Sequence, residues 1–170
     1  QDHNQNLWIG CYHRGMVMVS KESTPFHFWS VPTREYPQAG VITALYKDDD
    51  GHIVSGVEGE GVFKITSEGN ITDHLFSGKT VSSIYKDYSG NLWFGGYYSG
   101  LYMQDAKGNV RFMLPEIKLK DIKKITGDDK GNLYLSLFGS GFIRYHLPTQ
   151  TVTEYQSSSG GLRNLSLIHI

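Results

Sequence analysis

The sequence predicts an all-β protein, a β-propeller fragment of about four blades with four antiparallel strands each. Three observations predict it. One register recurs four times, as Asp2…Trp8…Gly15, Asp48…Val54…Gly61, Asp87…Trp93…Gly100 and Asp128…Tyr134…Gly141. The anchors at 8, 54, 93 and 134 stand 46, 39 and 41 residues apart, and self-similarity near that period marks stacked β-units. Within each copy, β-branched and aromatic runs alternate with turn residues. The composition agrees: 20 glycines and 13% aromatics suit many short strands joined by tight turns.

Ahead of each turn lies a first strand, predicted at Val41–Tyr46, Val81–Tyr85 and Ile122–Ile125. The turns carry Asp50-Gly51, Ser89-Gly90 and Lys130-Gly131, where a tight hairpin needs positive φ. Gln5 replaces that glycine in the first copy, so its turn is expected to be less regular. Second strands follow at Leu7–Gly10, Ile53–Gly56, Leu92–Gly95 and Leu133–Ser136. Third strands follow the repeat glycine at Met16–Val19, Val62–Ile65, Leu101–Met103 and Phe142–Tyr145. Fourth strands are suggested at Phe26–Ser30, Ile71–Leu75, Val110–Leu114 and Val152–Tyr155. The repeat units are thus about 1–40, 41–80, 81–120 and 121–164.

Consecutive apolar residues such as Leu92-Trp93-Phe94 predict second strands buried on both faces. Val41–Tyr46 and Leu101–Met103 are likewise expected to be buried. Trp8, Trp93 and Tyr134 are expected at equivalent packing sites between blades. The small residue two places after each anchor, Gly10, Gly56, Gly95 or Ser136, would let a neighbouring sheet approach closely. A β-sandwich also uses regular short strands, but it does not require one register four times.

Sixteen basic against 17 acidic residues give a net charge of −1, without the basic stripe of a nucleic-acid surface. No apolar run approaches the roughly 18 residues of a membrane span, and the N-terminus does not read as a signal peptide. The single Cys11 excludes an internal disulfide and is expected to be small and at least half-buried. Both ends read as interruptions. The chain opens inside a turn at Gln1-Asp2, and residues 165–170 (LSLIHI) read as the translation of a sequencing-library adapter, a non-native tail after Asn164. The alternative for Leu165–Ile170 is the first strand of a further blade. Thr24–Gln38, with Pro25, Pro32 and Pro37, is expected to be a loop insertion that brings Arg34 and Tyr36 toward a ligand mouth.

The stretches Val81–Asp87, Gly90–Gly95 and Ser99–Tyr102 resemble the two-component-regulator propeller repeat. The resemblance covers residues 1–164 as four copies. It is weakest in the second, where His52 replaces asparagine and Val54 the aromatic. It implies the periplasmic sensor region of a hybrid histidine kinase of Bacteroidetes type, without catalysis in this segment and without a cofactor. The implied partners are the remaining blades of the same propeller, with no nucleic acid and no membrane contact in this segment. A homodimeric parent is also expected.

Propellers bind ligands through loops at one mouth. The loops between second and third strands hold Tyr12-His13-Arg14, Glu58-Gly59-Glu60, Tyr97-Tyr98-Ser99 and Phe138-Gly139-Ser140, and they vary while their flanks repeat. The ligand-binding candidates are therefore Tyr12, His13, Arg14, Glu58, Glu60, Tyr97 and Tyr98. Tyrosines beside charged groups suit the stacking and hydrogen bonding of a glycan or oligosaccharide. Ordinary exposed hairpin tips are the bland alternative. Asp48-Asp49-Asp50-Gly51 lacks the glutamate-closed calcium loop and reads as a hairpin turn. The histidines show no ligand spacing, so no metal is expected. The Asp…Gly…Trp spacing also resembles the aspartate-box turns of sialidase-type propellers, which keeps a glycan-processing enzyme, sialidase- or lyase-like, as a rival. Against it, Arg14, Arg34, Arg111 and Arg163 show no clustering in sequence. A purely structural interaction propeller is the third reading.

Overall fold

A computed structural model describes residues 1–12, 15–19, 27–29, 31, 40–117 and 120–156. Fifteen strands fall in four antiparallel sheets among these residues, each a meander in chain order. The first contains β1 (Leu7–Cys11), β2 (Gly15–Val19) and β3 (His27–Trp29). The second contains β4 (Ile42–Lys47), β5 (Ile53–Val57), β6 (Gly61–Ile65) and β7 (Ile71–Leu75). The third runs through β8 (Thr80–Lys86), β9 (Leu92–Tyr97), β10 (Gly100–Gln104) and β11 (Val110–Met113). The fourth runs through β12 (Ile122–Gly127), β13 (Asn132–Leu137), β14 (Gly141–His146) and β15 (Thr151–Tyr155). These are the blades of a β-propeller segment. A short 3₁₀ turn at Pro115–Ile117 leads into the last of them.

The repeat glycine opens every third strand, and in the second and fourth blades its position tolerates no side chain. Gly61 and Gly141 have φ of 101° and 82°, and a Cβ on them would lie 2.3 Å from Leu75 O and 2.0 Å from Tyr155 O. The glycine thus lets the fourth strand fold back over the start of the third.

The chain divides after Ser82 into two compact units. In the first, Met16, Val31, Ile53, Val57, Phe63 and Ile65 form the core, with Trp8, Ile42 and Leu45 against it. In the second, Trp93, Leu101, Ile117, Ile122 and Ile125 join Leu133, Leu135, Leu137, Ile143 and Tyr145. The small residues at the ends of the second strands do admit the next sheet. A Cβ on Gly10 would meet Ile42 Cγ2 at 3.3 Å, and one on Gly95 would meet Ile122 Cγ2 at 2.7 Å.

Burial departs from expectation at two edge strands and in part of β10, which is central. β9 is central and its Trp93 and Phe94 are buried on both faces, but every residue of β4 is only half-buried. β4 has β5 on one side alone, so its other edge keeps solvent contact. β1 is also an edge strand, and Leu7 and Ile9 are exposed. In β10, Leu101 is buried while Tyr102 and Met103 are half-buried. Cys11 is half-buried as expected. Most of the Thr24–Gln38 segment, with Arg34 and Tyr36, and all of 157–170 lie outside the described residues.

Candidate functional site

Each blade has two ends, and their chemistry differs. One end carries the aspartate turns. Asp87 Oδ1 accepts the N–H groups of Ser89 and Asn91, both at 2.9 Å. Its Oδ2 accepts Asn91 Nδ2 at 3.0 Å and the buried Trp93 Nε1 at 2.8 Å. Asp128 repeats this with the N–H groups of Lys130 and Asn132, with Asn132 Nδ2 and with Tyr134 Oη at 3.0 Å. Asp2 does so with the Asn6 N–H, Asn6 Nδ2 and Trp8 Nε1. The anchor aromatic is therefore chosen for its donor as well as its bulk. Val54 has no donor, and Lys64, its cross-strand partner, supplies one instead: Lys64 Nζ stands 2.7 Å from Asp48 Oδ2.

The Gln5 turn is as regular as the others, contrary to expectation. Gln5 takes φ 62°, and its N–H reaches Asp2 O at 3.0 Å, as the Gly90 N–H reaches Asp87 O at 3.0 Å. Hydrogen bonds accepted by the Asp2 carboxylate hold the turn, so the left-handed conformation persists with a non-glycine residue in it.

These bonds set the acidity of the turn. Donation from the Asn132 backbone N–H, then from its side chain, holds the Asp128 carboxyl down at about 2. The Asn109 side chain and N–H lower Asp105 in a matching turn between β10 and β11. Burial pushes Asp2 and Asp48 up, but hydrogen bonds from Asn6 and Trp8, and from Lys64 and His52, outweigh it and leave both lowered. Asp48, Asp50 and His52 bring one ligand atom each within 4.8 Å of one another. Of these, Asp50 and His52 border a shallow cleft of about 310 Å³ with Asp2, Lys47 and Glu68. The Asp48 carboxylate is already engaged by Lys64 and the His52 N–H, so the turn itself accounts for the acidic run.

The other end carries the hairpin tips between second and third strands, where the ligand candidates were placed. In the first unit, Tyr12 and Glu58 are exposed. Glu60 is half-buried, and its carbonyl lies 2.6 Å from His74 Nε2, whose ring stacks on Phe63. His13 and Arg14 lie outside the described residues. In the second unit, Tyr97 is half-buried and Tyr98 is 73% exposed.

Tip construction repeats from blade to blade. The Glu58 N–H donates to Val41 O and the Phe138 N–H to Asp121 O, both at 2.9 Å. The Gly59 N–H donates to Thr80 Oγ1 and the Tyr98 N–H to Asp121 Oδ1, both at 2.9 Å. Tyr98 therefore occupies the place of Gly59 and Gly139. It shares their left-handed backbone, with φ 47° against 70° and 69°.

Sequence reasoning missed Lys123. The pairing of β12 with β13 skips it, as the pairing of β4 with β5 skips Thr43, so each is the extra residue of a β-bulge. Bulges re-aim side chains. Thr43 Oγ1 turns to Val81 O at 2.5 Å. Lys123 instead bonds Tyr97 Oη, with its ammonium 4.4 Å from the Tyr97 ring centre and 4.8 Å from that of Phe138. The signal lay in aligning the copies, where Thr43, Ser82 and Lys123 share one position.

The two-component regulator propeller model matches residues 75–98, the span from the end of β7 through β9 to the Tyr98 tip. The chain superposes on the extracellular domain of the hybrid two-component system BT3049 of B. thetaiotaomicron with a TM-score of 0.75 at 20% identity. That match covers 94% of this chain and 22% of the other. The extracellular domain of BT4673 from the same organism gives 0.75 at 19% identity, covering 98% and 23%. Virginiamycin B lyase of Staphylococcus aureus gives 0.72 at 15% identity, covering 94% and 54%. The chain thus spans under a quarter of the two-component extracellular domains it resembles. No curated protein matches it.

Proposed function

We propose that this chain is a ligand-sensing propeller segment of a periplasmic two-component sensor, that it recognises a glycan or glycan-derived ligand, and that it signals to a kinase outside this segment. The observation that carries the reading is the two-component regulator propeller repeat ending at the exposed Tyr98 tip. The solved neighbours of sensor type are extracellular domains, which supports a periplasmic location. Exposed tyrosine and phenylalanine at the tips give flat faces for sugar rings, and the neighbouring charged groups give hydrogen bonds to hydroxyls. Its partners are further blades of the same propeller in a longer, homodimeric chain. The segment itself performs no catalysis.

A glycan panel tests this on a complete propeller containing the segment, with affinity by calorimetry and product analysis by chromatography. The expected result is binding without turnover, and loss of binding when Tyr12, Arg14, Glu58 and Tyr97 are all changed to alanine. Turnover would favour the enzymatic reading, for which the lyase neighbour is the precedent in fold. Unchanged affinity in the fourfold variant would place the ligand elsewhere.

A further inference from the structure

We infer that the tips of the third and fourth blades form a subsite for an acidic sugar, in which Lys123 holds the carboxylate of a uronic acid residue and Tyr98 and Phe138 take the ring faces. This rests on the glycan reading above and narrows its ligand class.

Three independent features converge there. The first is the bulge. In the first strand of the second blade it presents a hydroxyl that is consumed by Val81 O, whereas in β12 it presents an ammonium at the tips. That ammonium lies close to two aromatic rings and bonds a phenol oxygen. Among the described residues no carboxylate pairs with it, although Lys120 nearby in sequence is neutralised by Glu154 at 2.6 Å. An ammonium has three donors. One goes to Tyr97, which leaves two for an anion.

The second feature is Tyr98. A tyrosine in the left-handed region is strained relative to glycine. Two equivalent tips use glycine there, so the turn does not ask for a side chain. Asp121 holds the strained residue through its carboxylate and holds the Phe138 tip through its carbonyl. One residue thus fixes both tips in place.

The third feature is exposure. Tyr98 and Phe138 are 73% and 66% exposed, whereas the anchor aromatic Trp93 in the same sheet as Tyr98 is buried. Exposed rings beside a cation suit a ligand that is apolar on one sugar face and anionic at its edge. Among the described residues, the Asp121 and Glu154 carboxylates are both engaged, by the Tyr98 N–H and by Lys120.

The test is NMR titration of the full chain, which detects weak binding. The probes are oligomers of galacturonate, mannuronate and glucuronate-bearing xylan, each beside its carboxyl-reduced, neutral counterpart. At least one uronate oligomer should bind ten-fold or more tightly than its neutral counterpart, shifting the amide signals of residues 97, 98, 123 and 138. Lys123→Met should abolish that preference, and Lys123→Arg should retain it. Tyr98→Gly should weaken binding of both probe types about ten-fold while the unfolding midpoint stays level or rises. A purely structural lysine would move the midpoint in Lys123→Met and leave the preference intact, which overturns the inference. Equal affinity for acidic and neutral oligomers also overturns it while leaving the glycan reading standing. Absence of binding to every oligomer would overturn it as well, and the glycan panel on the complete propeller then decides the broader reading by itself.

Discussion

Replacing Asp87 with asparagine removes one oxygen acceptor from a site where four donors converge. The carboxylate is 5% exposed, and Oδ2 receives the indole N–H of Trp93, itself 2% exposed. An asparagine keeps one oxygen and turns an amide NH2, which only donates, toward the other pair of donors. If the NH2 faces Trp93 Nε1 and Asn91 Nδ2, a buried indole N–H loses its acceptor. An unsatisfied buried donor costs about 1–3 kcal/mol, and the lost bond to a charged group falls in a similar range. A net loss of roughly 2–4 kcal/mol is therefore expected, a large share of the 5–15 kcal/mol typical of a domain. With a urea slope of about 2 kcal/mol/M, the midpoint falls by roughly 1–2 M. Tryptophan fluorescence during urea unfolding measures it. Trp93→Phe in the Asp87→Asn background supplies the cycle: with the indole donor gone, the second substitution should cost about 1 kcal/mol or more less than in the wild type. A cost below about 0.5 kcal/mol for Asp87→Asn, or additive losses in the cycle, would refute the hydrogen-bonded anchor and leave only aromatic packing.

Three further outcomes are expected. Gly141→Ala should destabilise far more than Gly139→Ala, because both have positive φ but only Gly141 has a backbone oxygen where the Cβ would go; about 1 kcal/mol for Gly139 and at least 3 for Gly141 follow, and equal losses by denaturation would contradict it. Gln5→Gly should raise stability by roughly 0.5 kcal/mol, since relief of left-handed strain exceeds the added chain entropy; a lower thermal midpoint would count against it. Asp128, held at about 2 against an ordinary 3.8, binds protons less readily folded than unfolded. Its contribution is therefore complete above about pH 4 and is lost as pH falls through about 2. Asp2, Asp48 and Asp105 act in the same direction. Carboxyl titration by NMR checks the sign, and an Asp128 midpoint near 4 would remove the effect.

The strand positions were legible because local chemistry sets the register. An aspartate turn and an obligatory glycine bracket each second strand, and β7 falls at Ile71–Leu75 as read. What could not be read depends on contacts between strands. Half-burial of β4 follows from its edge position, and the rescue of Asp48 by Lys64 follows from pairing with Val54. The regular Gln5 turn shows side-chain bonds overriding a glycine preference. At the tips, variation among the copies singles out Tyr97 and Tyr98 as candidates, but strand patterning does not single out Lys123. A bulge shifts its side chain out of the alternation that a strand pattern assumes.

The contrast between the two blade ends is itself a physical argument for where function sits. At the aspartate turns of the third and fourth blades, each carboxylate oxygen accepts two donors from its own hairpin. Such a group has little capacity left for a ligand, and its repetition is explained by stability alone. At the tips the backbone bonding repeats, from Val41 and Thr80 in one unit and from Asp121 in the other, while the side chains that emerge do not. Glu58 and Gly59 in one blade correspond to Tyr97 and Tyr98 in the next and to Phe138 and Gly139 in the last. A fixed backbone lets those side chains differ without disturbing the sheets beneath. Strain at Tyr98 and, among the described residues, a lysine without a carboxylate partner both lie at this end, and the strain brings no evident gain in stability. Features that cost stability persist where binding uses them, which supports the recognition role proposed for the tips, with the aspartate turns as scaffold.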